Sequence, residues 1–275
     1  MWFGSASDLD DELRVKQSDS VVAIVAKKKA AIREELSRLA KTDYWAGEYF
    51  YGDHVGVNST ILLAPESGFV FEWRGCLGLY DRNYGTVKVR DKKLELHCEL
   101  PNDPDNGFEG VATSLLPLKW GDRNYLLDAS KIVEFCNAYN AGEEPRTEAG
   151  GFFFLKNGDE NKTAIGKPTL PDPFANYLFD SPVQARVIKI DESSYHAGKG
   201  TTRLRSTPVK LDVGRKHGVF LGAKFYLIDL SQVLFGEVSK LEEDNCTIVF
   251  EQDADSEYDL PPSSDSQFSS KARWQ

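Results

Sequence analysis

The stretch that decides the fold class is Leu94-Glu95-Leu96-His97-Cys98-Glu99-Leu100, in which apolar and polar residues alternate without interruption. Successive side chains of a β-strand point to opposite faces of the sheet. The pattern therefore predicts a strand that buries Leu94, Leu96, Cys98 and Leu100 and turns His97 and the two glutamates toward water.

The chain on either side of this stretch keeps the same period of two. The predicted strands of this region are 47–51, 55–64, 68–73, 85–90 and 93–100. Short turns containing Asn, Asp, Gly and Pro separate them. Phe69, Phe71 and Trp73 share one face of their strand. Antiparallel strands joined by short turns form a meander, which closes into a barrel or half-barrel.

Two helices and a second β region complete the predicted architecture. Apolar residues at helical spacing predict a helix over 21–40, and Asp128 is positioned to cap an inserted helix over 129–140. Residues 1–18 are polar and are expected to be mobile. Five strand candidates lie between 182 and 252, interrupted by a polar break over 191–206, and the residues beyond 253 are rich in Asp, Ser and Pro.

We therefore expect a mainly β (α+β) fold in four parts. These are a polar N-terminus with an amphipathic helix (1–44), an antiparallel β domain containing helix 129–140 (45–180), a small β-barrel-like domain (181–252) and a disordered acidic tail (253–275).

Composition excludes several classes of partner. The formal net charge is −10, with 43 acidic and 33 basic residues, which disfavours a nucleic-acid backbone. No apolar run is long enough for membrane insertion. The first residues lack the basic and apolar regions of a secretory signal, so we expect a cytoplasmic protein, or a periplasmic one if a signal peptide has been removed. The oligomeric state stays open.

Cysteine and histidine spacings predict no metal site and no cofactor. The four cysteines are Cys76, Cys98, Cys136 and Cys246, and no C-x-x-C pair occurs among them. The histidines form no H-x-H or H-x-x-x-H spacing. A Cys76–Cys98 bridge stays open for an exported protein, because both residues fall in neighbouring strand segments.

The first predicted β region resembles a known kind of protein. The run from Ala46-Gly47-Glu48-Tyr49 through Phe69-Val70-Phe71-Glu72-Trp73-Arg74-Gly75-Cys76-Leu77-Gly78 to Gly85 looks like a segment of uncharacterised bacterial proteins. Over residues 45–155 its strand rhythm is similar to that of small lipocalin-like barrels. The resemblance implies a barrel and brings no activity with it.

A second resemblance covers residues 207–250. Val209-Lys210-Leu211-Asp212-Val213-Gly214-Arg215-Lys216-His217-Gly218-Val219-Phe220-Leu221-Gly222 resembles the strand–turn–strand pattern of small β-barrels in bacterial envelope and assembly proteins. There the glycines form tight turns, and the module is structural or adhesive. The resemblance therefore implies a structural or assembly role.

A repeated tetrapeptide supplies the candidate site. Asp81-Arg82-Asn83-Tyr84 recurs as Asp122-Arg123-Asn124-Tyr125, and each copy is expected at a turn. The two copies, with Trp73 nearby, either line a cleft for an anionic or sugar-like ligand or satisfy turn backbone locally. The candidate ligand-binding residues are Trp73, Asp81, Arg82, Tyr84, Asp122, Arg123 and Tyr125.

Catalytic patterns are absent from the sequence. Cys76, His97 and Asp81 could meet in space, but Cys76 lacks the flanking residues of a thiol protease. The loop around Lys199 lacks the first glycine of a phosphate-binding motif. We expect a non-enzymatic binding or protein-interaction module, with a hydrolase using carboxylate, Arg and Tyr groups, or a structural component, as alternatives. Its partner would be another protein or a small anionic or sugar-like ligand.

Overall fold

A computed structural model divides the chain into two compact units. The first contains residues 1–132 and 145–171, and the second contains residues 133–144 and 172–275. The structure describes residues 15–39, 43–52, 54, 56–103, 110–143, 153–172, 174–198, 203–228, 234–255 and 262–272. The inserted helix and residues 172–180, which we expected in the first β domain, group with the second unit.

The first unit is a closed barrel of eight antiparallel strands. They are β1 (Gly47–Gly52), β2 (Val57–Ala64), β3 (Gly68–Gly75), β4 (Gly78–Arg90), β5 (Lys93–Cys98), β6 (Ser114–Trp120), β7 (Arg123–Asp128) and β8 (Phe153–Lys156). Each pairs with the next, and β8 pairs with β1. Closure removes the open sheet edges, and the predicted mainly β fold with a barrel is confirmed.

The barrel core contains most of the residues that alternation selected. Leu94 and Leu96 of the deciding stretch are buried beside Phe69 and Phe71, whereas His97 is exposed. Burial of such side chains contributes roughly 1.5–3 kcal/mol each. The period-two pattern therefore predicted the buried face of this strand as far as Cys98, whereas Leu100 lies beyond the strand and packs against a second apolar cluster.

Helix α1 (Asp19–Arg38) packs along the outside of this barrel. Val21, Val25 and Ile32 form a cluster with Leu62 of β2 and Val70 of β3. At its C-terminal end, the Glu35 carboxylate accepts hydrogen bonds from the backbone N–H groups of Glu66 and Ser67 in the β2–β3 turn. Strands β2 and β3 consequently have an apolar surface on both faces.

The first tetrapeptide lies in a strand and not at a turn, where we expected it. Gly75 pairs with Gly78, so the β3–β4 turn is at Cys76 and Leu77, and Asp81–Tyr84 lies inside the long strand β4. The expectation of a turn is wrong here because β4 begins seven residues before Gly85, where we expected it. The second copy does follow a turn, with Gly121 and Asp122 preceding β7.

The second unit contains a smaller barrel. Its strands are β9 (Gln184–Ile190), β10 (Ser194–Ala197), β11 (Arg203–Leu211), β12 (Lys224–Leu227), β13 (Phe235–Leu241), β14 (Cys246–Asp253) and β15 (Gln267–Ser269). The order β11-β14-β13-β12-β15-β9 closes through a β9–β11 pairing. Strand β10 lies outside this ring, paired with the first part of β11.

The expected disordered tail over 253–275 is wrong for its described residues. Strand β15 pairs with β9 and β12, and Phe268 is completely buried. Local composition could not reveal this, since one aromatic side chain fixes an otherwise polar segment. The polar break over 191–206 is also wrong for 194–197 and 203–206, which are strands.

Helix α2 (Ile132–Ala141) lies close to its predicted bounds, after a 3-10 turn over Ala129–Lys131. As expected, the Asp128 carboxylate caps this turn by accepting a hydrogen bond from the Ser130 N–H. Asn137 donates to the Gly222 carbonyl and accepts from the Lys224 N–H, which fixes α2 to the second unit.

Candidate functional site

Asp81, the first residue of the first repeat, is paired with a lysine of the same chain. Its Oδ1 lies 2.6 Å from the Lys16 Nζ, and the side chains are 0% and 3% exposed. Its Oδ2 accepts a hydrogen bond of 2.7 Å from the Gly110 N–H. Both oxygens are engaged, so the carboxylate has no face available to a ligand. The expectation that residues 1–18 are mobile is wrong for Lys16.

Arg82 belongs to a separate cluster of charges on the outer face of β3 and β4. Its Nη2 donates to Glu72 Oε1 at 2.9 Å, whereas Glu72 Oε2 lies 2.7 Å from the Lys29 Nζ and 3.4 Å from Arg74 Nη2. We call Lys29, Glu72, Arg74 and Arg82 the Glu72 cluster. Burial alone would raise the pKa of Glu72, but Lys29, Arg74 and Arg82 together hold it below its usual value.

The aromatic residues in and near the first repeat have packing roles. Trp73 packs against the barrel core and makes an edge contact with Tyr80, with ring centroids 5.9 Å apart. Tyr84 packs against the cluster between α1 and the barrel. Trp73 and Tyr84 lie on opposite faces of the sheet, so the two rings do not line one pocket together.

The second repeat stabilises the chain that follows β8. Arg123 donates from Nε to the Lys162 carbonyl and from Nη2 to the Glu160 carbonyl. The Asp122 N–H donates to the Thr163 carbonyl. Tyr125 is buried and makes an edge contact with Phe153. The contacts of the second repeat therefore hold a turn in place and pack the barrel.

The two repeats lie at opposite ends of the first barrel. Every neighbouring pair of strands is antiparallel, so the β3–β4 turn is at one end and the β6–β7 turn is at the other. Asp81 follows the first turn and Arg123 follows the second. The structure therefore does not bring Asp81, Arg82, Asp122 and Arg123 into one cleft, which a shared hydrolytic site would require.

The thiol and histidine groups do not form a catalytic arrangement. None of the four cysteines forms a disulfide, so Cys76 and Cys98 are not bridged. Cys76 is exposed in its turn, whereas Cys98 packs against the barrel core. His97 is exposed and Asp81 is engaged by Lys16. In the described ranges no three His, Cys, Asp or Glu residues are placed to hold a metal ion.

Strand β10 offers a different kind of site. All four of its residues, Ser194 to Ala197, are exposed. Within the part of the chain that the structure describes, β10 pairs with β11 alone. An edge strand presents a row of unpaired backbone N–H and C=O groups, and the usual protective residues, Lys and Pro, are missing from this one. Such an edge can pair with an incoming strand.

One face of this edge is cationic. Tyr195 pairs with Arg205 and Ala197 with Arg203, so these four side chains share a face. The Arg203 guanidinium carbon lies 4.4 Å from the centroid of the Tyr195 ring, which brings its charge over β10. Residues 184–206 contain five Lys or Arg residues and only two Asp or Glu residues, in a chain of net charge −10.

The other face contains a Ser, a His and a Glu in contact. Ser206 Oγ lies 3.4 Å from His196 Nδ1 and donates to Glu251 Oε1 at 3.2 Å, and that same oxygen lies 3.5 Å from His196 Nε2. In a catalytic triad the histidine stands between the hydroxyl and the carboxylate. Here the carboxylate contacts the hydroxyl itself, so this is a cross-strand polar ladder.

Sequence reasoning missed the residues that matter most in both places. Lys16 precedes the predicted helix, and Lys29 ends the run Lys27-Lys28-Lys29 within it. Such a run is typical of a solvated helix face, which describes exposed Lys27 but not half-buried Lys29. The signal for β10 is the alternation of Tyr195 and Ala197 with Ser194 and His196, which is weak in so polar a stretch.

Comparison of the chain with protein-family models, curated proteins and solved structures finds no match in any of the three. The two resemblances stated above therefore stay expectations. No helix among the described residues combines the length and apolar character needed to span a bilayer. The functional argument depends on the geometry of the two units alone.

Proposed function

We propose that this protein is a non-enzymatic interaction module that binds an extended, acidic segment of a partner protein along the edge of β10. The single observation that carries the proposal is the exposed edge strand with the Arg203 guanidinium stacked over Tyr195. Main-chain hydrogen bonds along the edge would provide affinity, and the cationic face would select the sequence.

The acidic nature of the partner follows from charge. A strand added beside β10 places alternate side chains next to Tyr195 and Ala197, on the face that contains Arg203 and Arg205. Asp or Glu at those alternate positions would meet the Arg203 charge, whereas Lys or Arg would be repelled. The partner segment is therefore expected to alternate acidic residues with β-formers.

A second copy of this chain fits the edge less well. Two β10 strands pairing with each other would bring two Arg203 groups and two cationic segments together, and each copy has a net charge of −10. At low salt the two cationic segments repel each other, and so do the net negative charges of the two copies. Self-association measured by analytical ultracentrifugation, at the expense of peptide binding, would support the assembly role instead.

The test uses a synthetic peptide of about eight residues that alternates Glu with Thr, a length that covers one strand. Its matched control alternates Lys with Thr. We expect the acidic peptide to bind the full-length protein and the basic peptide not to bind. Equal binding of the two peptides, or binding of neither, would overturn the proposal.

Two variants locate the binding on the protein. Arg203→Glu reverses the charge over β10 and is expected to weaken acidic-peptide binding by about tenfold or more. Arg215→Glu makes the same charge change at an exposed position of the second unit outside β10 and β11, and is expected to leave affinity within about twofold. Equal losses in both variants would mean that the attraction is non-specific.

A further inference from the structure

The Glu72 cluster contains more positive charge than its single carboxylate can balance. Lys29, Arg74 and Arg82 all contact Glu72, and in the described part of the chain no other carboxylate lies within 4.0 Å of any of the three. Counted over the described residues, the cluster therefore has two positive charges without a paired carboxylate, although the chain as a whole is acidic.

The guanidinium of Arg82 is the most unusual group in this cluster. Its side chain is 6% exposed and is directed at Glu72 through Nη2. No acceptor among the described residues bonds its buried Nε and Nη1. Leaving buried charged donors without partners is costly, and native proteins avoid it unless water or a ligand supplies the acceptor.

The cluster has an exposed side through which an acceptor could enter. The side chain of Arg74 is 55% exposed and that of Lys29 is 28% exposed, whereas Glu72 and Arg82 are 6% exposed. Rotamer changes of exposed side chains occur within picoseconds to nanoseconds. A small anion that enters between the Lys29 and Arg74 side chains would contact both cations and could reach the unbonded donors of Arg82.

We propose that Lys29, Arg74 and Arg82 form a binding site for a phosphate-type oxyanion, separate from the peptide edge of the second unit. A doubly charged anion matches these two positive charges of the cluster. The planar donor array of arginine fits phosphate oxygens in a bidentate manner, and the flexible Lys29 ammonium adds a point charge. The phosphate is either free or the end of a small monoester.

The test is isothermal titration of the full-length protein at low ionic strength and pH 8. The ligands are inorganic phosphate, glycerol 3-phosphate and acetate. We expect saturable binding of both phosphates below about 10 mM and none of acetate. Tighter binding of glycerol 3-phosphate assigns the site to a monoester, whereas equal affinities assign it to free phosphate. Absence of saturable binding, which would leave Arg82 to be satisfied by water, would overturn the proposal, as would equal binding of acetate.

Matched variants distinguish phosphate binding at this site from non-specific attraction of phosphate to surface cations. Arg74→Gln and Lys29→Gln are each expected to weaken phosphate binding by about tenfold, the effect of one charge-assisted hydrogen bond. Arg90→Gln and Lys27→Gln remove the same charge from exposed positions of β4 and α1 outside the cluster and should change affinity by less than about twofold. Circular dichroism checks that each variant is folded. Equal losses in the controls would contradict the assignment.

Peptide binding at β10 is expected to be unchanged in all four variants, so the two proposals can fail independently of each other.

Discussion

The ammonium group of Lys16 lies 2.6 Å from the carboxylate of Asp81, and neither side chain is more than 3% exposed. Sixty-five positions separate the two residues. The pair ties the segment before α1 to strand β4 near the β3–β4 end of the barrel. A buried ion pair contributes less through its own attraction than through the cost of leaving one partner alone.

We predict that Lys16→Met destabilises the protein by about 3–5 kcal/mol, because it leaves the Asp81 carboxylate buried without its cation. Urea unfolding measures the change. The control is Lys189→Met, which breaks an exposed pair with Asp191 and is expected to cost less than about 1 kcal/mol. Similar losses in the two variants would contradict the burial of Lys16, whereas partial recovery in Lys16→Met/Asp81→Leu would support it.

The Glu35 contact predicts a defined pH dependence. Burial raises the pKa of Glu35, but the N–H bonds from Glu66 and Ser67 and the charge of Arg38 outweigh it, so the pKa lies below the ordinary value of 4.5. A carboxylate whose pKa is lower in the folded protein than in the unfolded chain stabilises the fold. The stabilisation is complete at a pH above the pKa of the unfolded chain, and it is lost as the pH falls through the pKa of the folded protein.

Glu35→Gln is therefore expected to reduce the free energy of unfolding at pH 7 by about 1–3 kcal/mol, the value of hydrogen bonds to a charged group. Its stability should converge with that of the parent protein as the pH falls below 4.5. Glu34→Gln, at an exposed position of the same helix, is the control and should change little. A constant difference between Glu35→Gln and the parent at every pH would argue against the carboxylate as the anchor of α1.

Thiol reactivity should distinguish Cys76 from the other cysteines. Burial raises the pKa of Cys98 to about 11 and those of Cys136 and Cys246 to about 12, whereas Cys76 is exposed. Because the thiolate is the reactive form, we predict one fast-reacting thiol in the native protein at pH 8. Cys76→Ser should remove the fast phase, and Cys246→Ser should leave it. Two or more fast thiols would show that the cores are more open than described.

The ordered C-terminal strand can be tested by one aromatic truncation. Phe268 is completely buried and contacts Phe250 with ring centroids 5.8 Å apart. Phe268→Ala is expected to cost about 3–5 kcal/mol by thermal or chemical unfolding. Phe235→Ala, at an exposed position, should cost about 1 kcal/mol or less. A negligible effect of Phe268→Ala would restore the disordered tail predicted from composition.

Sequence pattern was sufficient where one face of a strand is buried and the other is wet. The alternation around Leu94 and Leu96 therefore predicted β5 and the barrel class correctly. It failed for β15, where Phe268 alone marks the buried face, and for β10, where both faces are exposed. A period of two is visible only when the two faces differ in polarity.

The candidate site was less predictable because its charges are matched across long sequence separations. The repeated tetrapeptide drew attention to Arg82 and Arg123, yet the two arginines bond to different groups at opposite ends of the barrel. Nothing local to Arg82 indicates Lys29, 53 positions earlier, as a member of its cluster. Pairing of β3 with β4 and packing of α1 against them bring these residues together.

The most direct test of the proposed function is amide hydrogen exchange over residues 194–197, with and without the peptide of alternating Glu and Thr. Addition of a strand along β10 pairs backbone N–H groups that are otherwise open to water. The account predicts slower exchange in 194–197 with the acidic peptide, and no change in the Arg203→Glu variant at the same peptide concentration. Peptide binding without protection of 194–197 would contradict it, because the attraction would then not involve the strand edge.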